Sequence, residues 1–393
     1  MPTAVNAPPR TDGADRAVRW VTAVALAFTA AQLRFVPAGM TLGAGEVGNV
    51  WQARSGDPGA FLDVSRGHAT VALVAPIVQA TSSTAAMRIY LAVASGAGLF
   101  AALWAWRPLH RPETLAGAGV LFGGLWAAQL YGSQAMPDLW CALGALGAVG
   151  CLLRVARDRQ DYPAMLGLTA SLALVAAMRP SQGLWLALPL CAALAVVPAW
   201  RHREAVVSVL AGLVLDLTAW LVHENGGAGP EPVQRVQRAA ARGSGWVDGW
   251  PGWSGFAAVA VFLAIGGLMA VSGVRRPGTA LLPMAVAAWM LVPGALAGPG
   301  TAGFLLTAGA LAAVPAAAGC VRALTRARRR PLAAVLTAGC LVAHLAVQNA
   351  ALDAVTDAAS AAPAAHPASG QGAHAPGEGD GRADGTGSDG IRS

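Results

Sequence analysis

The chain alternates between long apolar stretches and short polar turns over most of its length. A helix that crosses the hydrocarbon core of a bilayer, about 30 Å thick, needs roughly 20 apolar residues. Eleven stretches come near that length and predict eleven spans, at about 17–37, 84–106, 114–133, 136–154, 162–178, 181–199, 204–222, 254–274, 278–296, 302–321 and 332–352. A further apolar stretch at 69–81 is too short to cross easily and predicts an interfacial or re-entrant helix.

Arginine is concentrated in every second connection between these stretches. Positive residues near span ends accumulate on the cytoplasmic side of membrane proteins, so Arg10, Arg16 and Arg19 place the N-terminus inside. The inner connections are then those at about 107–111, 154–159, 201–203, 275–276 and 322–330, which are all rich in arginine. Counting 69–81 as a span would break this agreement. The pattern therefore predicts a multi-pass cell-membrane protein with a cytoplasmic N-terminus and an extracytoplasmic C-terminus.

Composition supports an all-α, polytopic membrane protein. The chain is 55% hydrophobic and only 12% charged, whereas soluble proteins average about 25% charged residues. Its net charge of +7 does not indicate a nucleic-acid partner, because no basic stretch is interleaved with exposed aromatic residues. Segments 1–16 and 353–393 contain almost no large apolar residues and are expected to be disordered. The transmembrane domain is expected to occupy 17–352.

Four ionisable residues near or within the predicted spans are candidates for chemistry. Glu46 begins a short helix in the first outer loop, Asp138 opens a span after Pro137, and Arg179 lies at an outer span end. Each also has an ordinary structural interpretation, because carboxylates are favoured in the first turn of a helix. Asp216 lies within a predicted span, where a charge is costly and should be paired, protonated or facing a cavity. Arg179 is a candidate partner for it.

The second predicted outer loop, at 223–253, carries three arginines with helical spacing. Arg235, Arg238 and Arg242 would share one helix face, as a solvated basic surface or as donors to lipid phosphates. The five cysteines lie in apolar stretches without the spacing of a disulfide framework or a zinc site, so no metal site is predicted from them.

The order of several motifs resembles the membrane glycosyltransferases of the C fold, which include protein O-mannosyltransferases and aminoarabinose transferases, and in particular their actinobacterial members. An acidic residue, Glu46, stands early in the first outer loop, ahead of juxtamembrane helices and an apolar helix that contains Pro76. Three further features follow: the Ala86-Met87-Arg88 entry into a span, the Gly132–Asp138 turn and the Arg179-Pro180 turn. The resemblance covers about residues 17–222.

This resemblance implies a mechanism and assigns roles to residues. In that family, a first-loop carboxylate acts as base toward an acceptor hydroxyl, often assisted by a divalent metal ion. The sugar leaves a polyprenyl-phosphate donor that cationic side chains hold. Here Glu46 would be the base, Asp138 a second acidic group, and Arg179 or Arg88 the contact to the phosphate. Many members carry paired acids in the first loop, whereas Val47 follows Glu46. A hard cation prefers several oxygen ligands, so metal dependence is left open.

Three classes of function remain for comparison with the structure. A transferase should place Glu46, Asp138 and Arg179 around one outer cavity. A transporter or flippase should show broken helices near the bilayer midplane, with Asp216 in a polar cavity. A non-catalytic membrane protein of the same fold is the third alternative, which the single first-loop acid favours.

Overall fold

The apolar stretches of the described chain all form helices. In the computed structural model, the described residues are 12–55, 68–225, 278–296 and 302–326, with scattered residues between 342 and 356. They belong to one compact unit that spans 1–363. The helices of the first half are α1 (Asp12–Phe35), α2 (Ala44–Ser55), α3 (His68–Ala80), α4 (Thr84–Trp104), α5 (Pro112–Gly123) and α6 (Trp126–Gly132). Those that follow are α7 (Asp138–Arg157), α8 (Tyr162–Met178), α9 (Pro180–Val196), α10 (Arg203–Asn225), α11 (Gly278–Leu296) and α12 (Ala302–Arg326).

These bounds agree closely with the predicted apolar stretches, but the number of spans is a separate matter. In the described part, three helices are long and apolar enough to cross a membrane, or up to four if the bent pair α5–α6 is one span. The all-helical fold with membrane helices is thus confirmed, whereas the count of eleven stays a prediction. The stretch 254–274 and most of 332–352 lie outside the described residues. Helix α3 has 13 residues, which at about 1.5 Å per residue is shorter than a bilayer core.

Helices α7 and α12 form the centre of the bundle. Almost every side chain of α7 is buried, and it packs against α4, α8 and α12. Small residues permit this close approach: Gly144 of α7 faces Val175 and the Ser171 carbonyl of α8. Close packing at small residues is the main source of helix association where lipid removes the hydrophobic driving force.

The predicted single span at 114–133 is instead two helices. Helices α5 and α6 meet at a bend of 78°, immediately after the Gly123-Gly124 pair. The break frees backbone groups, which side chains then satisfy. Gln348 accepts a hydrogen bond from the Trp126 N–H at 3.1 Å, and Gln129 donates to the Gly123 carbonyl. Freed backbone groups in membrane helices persist only with such partners.

Hydrogen bonds and an ion pair connect residues of the arginine-rich turns at one end of the bundle. Arg157 donates to the Pro108 carbonyl at 3.1 Å, and Arg154 forms a two-bond ion pair with Asp161 at 2.8 and 2.9 Å. The C-terminal part of α12 reaches the same end, since Arg322 acts electrostatically on His110. The structure therefore places the turns at 107–111 and 154–161 and the C-terminal part of α12 at one end of the bundle. The grouping of the other arginine-rich connections, and the side of the membrane they face, stay predictions.

His110 at this end makes stability depend on pH. Burial, followed by the charge of Arg322, lowers the pKa of His110 to about 4, so folding favours its neutral form. The contribution of neutral His110 to the free energy of unfolding is fully present above the ordinary histidine pKa of about 6.5 and is lost as the pH falls towards 4. We expect the protein in detergent to lose on the order of 2 kcal/mol across this window. The melting temperature of His110→Gln should fall less steeply than that of the wild type as the pH is lowered from about 6.5 towards 4. Equal pH dependence of the two melting temperatures would contradict the assignment.

Candidate functional site

The end of the bundle opposite the arginine-rich turns holds two ion pairs, one buried and one partly exposed, and we call it the polar end. It consists of the start of α2, the start of α4, the 133–137 turn, the junction of α8 and α9, and the start of α12. One pair is Glu46–Arg88 and the other is Asp138–Arg179. The 133–137 turn connects the two pairs, because it contacts Glu46 and Arg88 and leads directly into Asp138.

Both oxygens of Glu46 are fully engaged. Arg88 donates Nη1 to Oε1 at 2.5 Å and Nη2 to Oε2 at 2.8 Å. The backbone N–H of Ala135 donates to Oε1 at 2.9 Å, and that of Gly43 donates to Oε2 at 3.0 Å. Glu46 is 1% exposed and Arg88 is 2% exposed. Such a bidentate, charge-assisted pair fixes geometry as well as charge.

The bond from Gly43 explains why α2 begins where it does. Gly43 immediately precedes the helix, and Glu46 is the third helical residue, which reaches back to the Gly43 N–H. This is the glutamate half of a capping box. The sequence did not reveal it because the capping residue is a glycine, which brings no side chain to the motif.

The Glu46–Arg88 pair also holds the 133–137 turn in place. Arg88 Nη1 donates to the Ser133 carbonyl at 3.0 Å, and Asn49 Nδ2 of α2 donates to the Ala135 carbonyl at 2.8 Å. Side chains of α2 and α4 therefore both donate hydrogen bonds to the turn. Because Asp138 begins α7 directly after this turn, a change in the Glu46–Arg88 pair is expected to shift the position of Asp138.

The surroundings of Glu46 do not fit a divalent cation. A metal needs free oxygen lone pairs, whereas the Glu46 oxygens accept four hydrogen bonds and lie beside a guanidinium. In the part of the chain that the structure describes, no three His, Cys, Asp or Glu residues are grouped as metal ligands.

Asp138 and Arg179 form the second pair. Arg179 lies between α8 and α9 with an extended backbone (φ −154°, ψ 96°), as expected for a residue before proline. Its Nη1 lies 3.0 Å from Asp138 Oδ1, and the side chains are 26% and 3% exposed. Burial lowers the pKa of Arg179, but the charge and the hydrogen bond of Asp138, together with the smaller effects of Cys141 and Tyr131, outweigh burial, and the net direction is upward. The guanidinium of Arg179 is thus held by Asp138, while part of the Arg179 side chain stays exposed.

Gln182 and the start of α12 close over this pair. Gln182 Nε2 donates to the Gly303 carbonyl at 2.9 Å and to Thr307 Oγ1 at 2.6 Å. Gly303 packs so closely that a Cβ atom there would lie 2.6 Å from Asp138 Oδ1 and 2.9 Å from both Arg179 Nη1 and Gln182 Oε1. Among the described residues, Asp138 Oδ1 has Arg179 Nη1 as its partner, whereas the buried Gln182 Oε1 accepts no hydrogen bond from them.

The structure brings together four of the residues that the sequence singled out: Glu46, Arg88, Asp138 and Arg179. The three arginines Arg235, Arg238 and Arg242 lie outside the described residues. Asp216 belongs to α10, but its side chain is outside the description, so its pairing stays a prediction. Its suggested partner, Arg179, forms an ion pair with Asp138.

Sequence reasoning missed Gln182 and Gly303. The signal for Gln182 was present, since a buried amide near the start of an apolar helix needs hydrogen-bond partners. For Gly303, the requirement comes from a contact with residues more than a hundred positions away in the chain. No local pattern marks such a position.

Comparisons with known proteins support the fold. No family model matches the chain, and no curated protein matches it. The fold is similar to the Archaeoglobus fulgidus oligosaccharyltransferase crystallised with a tethered acceptor peptide (TM-score 0.54, 12% identity), covering 87% of this chain and 55% of that one. It is also similar to the oligosaccharyltransferase AglB from Archaeoglobus fulgidus in complex with an inhibitory peptide and a dolichol-phosphate (TM-score 0.52, 10% identity), covering 87% and 56%.

At these identities the comparison establishes the fold alone. The chain has an all-helical membrane fold like that of the C-fold glycosyltransferases, as the order of motifs predicted. It spans about half the length of the oligosaccharyltransferases that it matches.

Proposed function

We propose that this protein is a membrane glycosyltransferase-like protein that transfers a sugar from a polyprenyl-phosphate donor to an acceptor hydroxyl at its polar end. Arg179 carries the proposal: it is a guanidinium anchored by a buried carboxylate, yet it is 26% exposed. A fixed cation of this kind suits a phosphate, whose oxygens accept charge-assisted hydrogen bonds. The oligosaccharyltransferase of similar fold was solved with a dolichol-phosphate, which is a lipid of the same chemical class.

The proposed reaction exchanges one bond at the anomeric carbon. The acceptor oxygen forms a bond to that carbon, the bond from the carbon to the phosphate oxygen breaks, and the polyprenyl phosphate leaves with the electron pair. The acceptor proton passes to a carboxylate. Arg179 stabilises the negative charge that develops on the leaving phosphate, since preorganised cations act most strongly where charge appears.

Glu46 can serve as the base only if one of its hydrogen bonds is released. A base must lie within hydrogen-bond reach of the proton it removes, and each Glu46 oxygen already accepts two hydrogen bonds. The role that the family resemblance assigns to Glu46 therefore requires Arg88 or a backbone N–H to move when the acceptor binds.

Purified protein in lipid nanodiscs, assayed with radiolabelled polyprenyl-phosphate-linked hexoses, tests the proposal. We expect transfer or donor hydrolysis by the wild type. Arg179→Lys keeps the charge beside Asp138 but loses the planar fork, so donor affinity should fall about tenfold. Arg34→Gln is the matched control, because Arg34 is an exposed arginine at the end of α1. Equal donor affinity in the wild type and in Arg179→Lys would remove Arg179 from the phosphate site.

A non-catalytic membrane protein of the same fold is the second candidate. The observation that favours it is the complete engagement of the Glu46 carboxylate by Arg88 and two backbone N–H groups. Donor binding without transfer to any acceptor, and without donor hydrolysis, would favour this candidate over the enzyme.

A further inference from the structure

Helix α4 ends in two stacked aromatic rings at the arginine-rich end of the bundle. This helix is long and apolar enough to cross a membrane. Phe100 and Trp104 lie one helical turn apart at its end, with ring centroids 5.5 Å apart, and both are half-buried. Tryptophan at the end of a span is favoured at the level of the lipid headgroups. The residues that directly follow Trp104 are therefore expected at headgroup depth, where lipid phosphates lie.

Arg107 is held on this aromatic surface. Its Cζ lies 4.0 Å from the centroid of the Trp104 ring, which is a cation–π distance. A guanidinium that stacks by its face keeps the N–H groups in its plane available for acceptors. Within the described ranges, no carbonyl or carboxylate accepts a hydrogen bond from the Arg107 side chain. Arg107 is thus a positioned cation with unused donors.

Arg157, near the end of α7, brings a second cation to the same connection. It is exposed, and its Nη1 donates to the Pro108 carbonyl at 3.1 Å. This bond places the Arg157 guanidinium beside the residue that follows Arg107. A guanidinium has five N–H groups, so Arg157 also keeps donors for a ligand.

The neighbouring carboxylates have other partners. Asp161 forms a two-bond ion pair with Arg154, and Asp158 Oδ1 accepts the backbone N–H two residues later at 3.0 Å. As far as the structure describes the chain, neither Arg107 nor Arg157 forms an ion pair with a carboxylate. Their positive charge is therefore uncompensated at headgroup depth.

The charge and the depth together select the class of ligand. Phosphate oxygens accept charge-assisted hydrogen bonds from guanidinium groups. A lipid that carries a phosphate can also place its acyl chains along the apolar side chains of α4. An anionic headgroup fits better than a zwitterionic one, because the ammonium group of the latter would add positive charge beside two unpaired arginines.

We infer that Trp104, Arg107 and Arg157 form a binding site for the phosphate of an anionic phospholipid, taken from the leaflet that meets the arginine-rich end. Trp104 positions Arg107, and the two guanidinium groups contact the phosphate. The bound lipid connects the α4–α5 connection to α7. The site is separate from the polar end and does not depend on sugar transfer.

Native mass spectrometry of the full-length protein in detergent tests this site with two lipids of equal acyl chains, phosphatidylglycerol and phosphatidylethanolamine. We expect the wild type to bind phosphatidylglycerol about tenfold more tightly, because an arginine near the membrane surface contributes about fivefold to the affinity for anionic lipid. Arg107→Gln should reduce this preference to about twofold.

A matched substitution separates a defined site from diffuse surface charge. Arg159→Gln removes the same charge from the same end, at an exposed position in the turn after α7, and should leave the preference unchanged. An equal loss in Arg107→Gln and Arg159→Gln would assign lipid binding to the overall charge and overturn the site.

The role of the aromatic surface is tested at Trp104. Trp104→Leu keeps both arginines but removes the ring beneath Arg107, so the affinity for phosphatidylglycerol should fall about threefold. Trp104→Phe keeps an aromatic ring and should retain most of the preference. Equal affinities in these two variants would show that Trp104 does not position Arg107.

Two further outcomes would overturn the inference. The first is equal wild-type affinity for the two lipids. The second is displacement of phosphatidylglycerol by an equimolar amount of glycerophosphoglycerol, which has the same headgroup without acyl chains and would assign the site to soluble phosphate compounds. Neither outcome involves Arg179, so the proposed function is tested separately.

Discussion

Glu46→Gln should lower the stability of the protein by about 3 to 5 kcal/mol, because it leaves the Arg88 guanidinium buried without its counter-charge. The glutamine retains size and polarity, but its amide nitrogen cannot accept the hydrogen bonds that one Glu46 oxygen now receives. The effect should appear as a large drop in the apparent melting temperature in detergent. A catalytic base in an open cavity would instead tolerate this change with little loss of stability.

A double-mutant cycle distinguishes the ion pair from other effects at position 46. Glu46→Gln combined with Arg88→Gln removes both charges, and the double variant should be less destabilised than the sum of the single variants. Glu113→Gln is the control, since Glu113 is an exposed glutamate in the first turn of α5. Simple additivity of the two substitutions would show that the pair is not coupled.

Gly303→Ala should disrupt the second ion pair with one added methyl group. The new carbon would come within 2.6 Å of Asp138 Oδ1 and 2.9 Å of Arg179 Nη1, so α12 or the pair must shift. Overpacking of this kind costs about 1 to 3 kcal/mol. We expect a lower melting temperature and, because Arg179 is displaced, weaker binding of polyprenyl phosphate.

Gly39→Ala is the matched control for this substitution. Gly39 lies in the loop after α1, and a Cβ atom there would meet nothing within 4 Å. The variant should behave like the wild type in both measurements. If Gly303→Ala also behaves like the wild type, then the start of α12 does not pack against the ion pair as closely as the structure indicates.

The helices were predictable because the bilayer restricts them so strongly. Apolar length alone located α4, α8 and α11 to within about two residues. The break between α5 and α6 was missed for a physical reason. Hydropathy is continuous across Gly123-Gly124, and the freed backbone N–H of Trp126 donates to a distant side chain, Gln348. Side chains that satisfy freed backbone groups leave no mark on the local pattern.

The site was partly predictable because charged residues at the ends of apolar stretches are conspicuous in the sequence. Glu46, Asp138 and Arg179 attract attention as charges at the edges of apolar stretches, and the structure places them at one end of the bundle. The pairing could not be predicted, since Arg88 lies 42 residues from Glu46 and was a candidate for the donor phosphate. The pairing instead assigns Arg88 to Glu46 and leaves Arg179 as the exposed cation.

The closure of the polar end by Gly303 has a consequence for biosynthesis. Glu46, Arg88, Asp138 and Arg179 all emerge from the ribosome well before Gly303 does, so both ion pairs can form while the second one still lacks its cover. A nascent chain that stops before Ala302 would lack the cover that the start of α12 gives to Asp138 and Gln182. Insertion of α12 is therefore the step that completes the polar end, and an intermediate arrested before it should be a preferred substrate for membrane proteases.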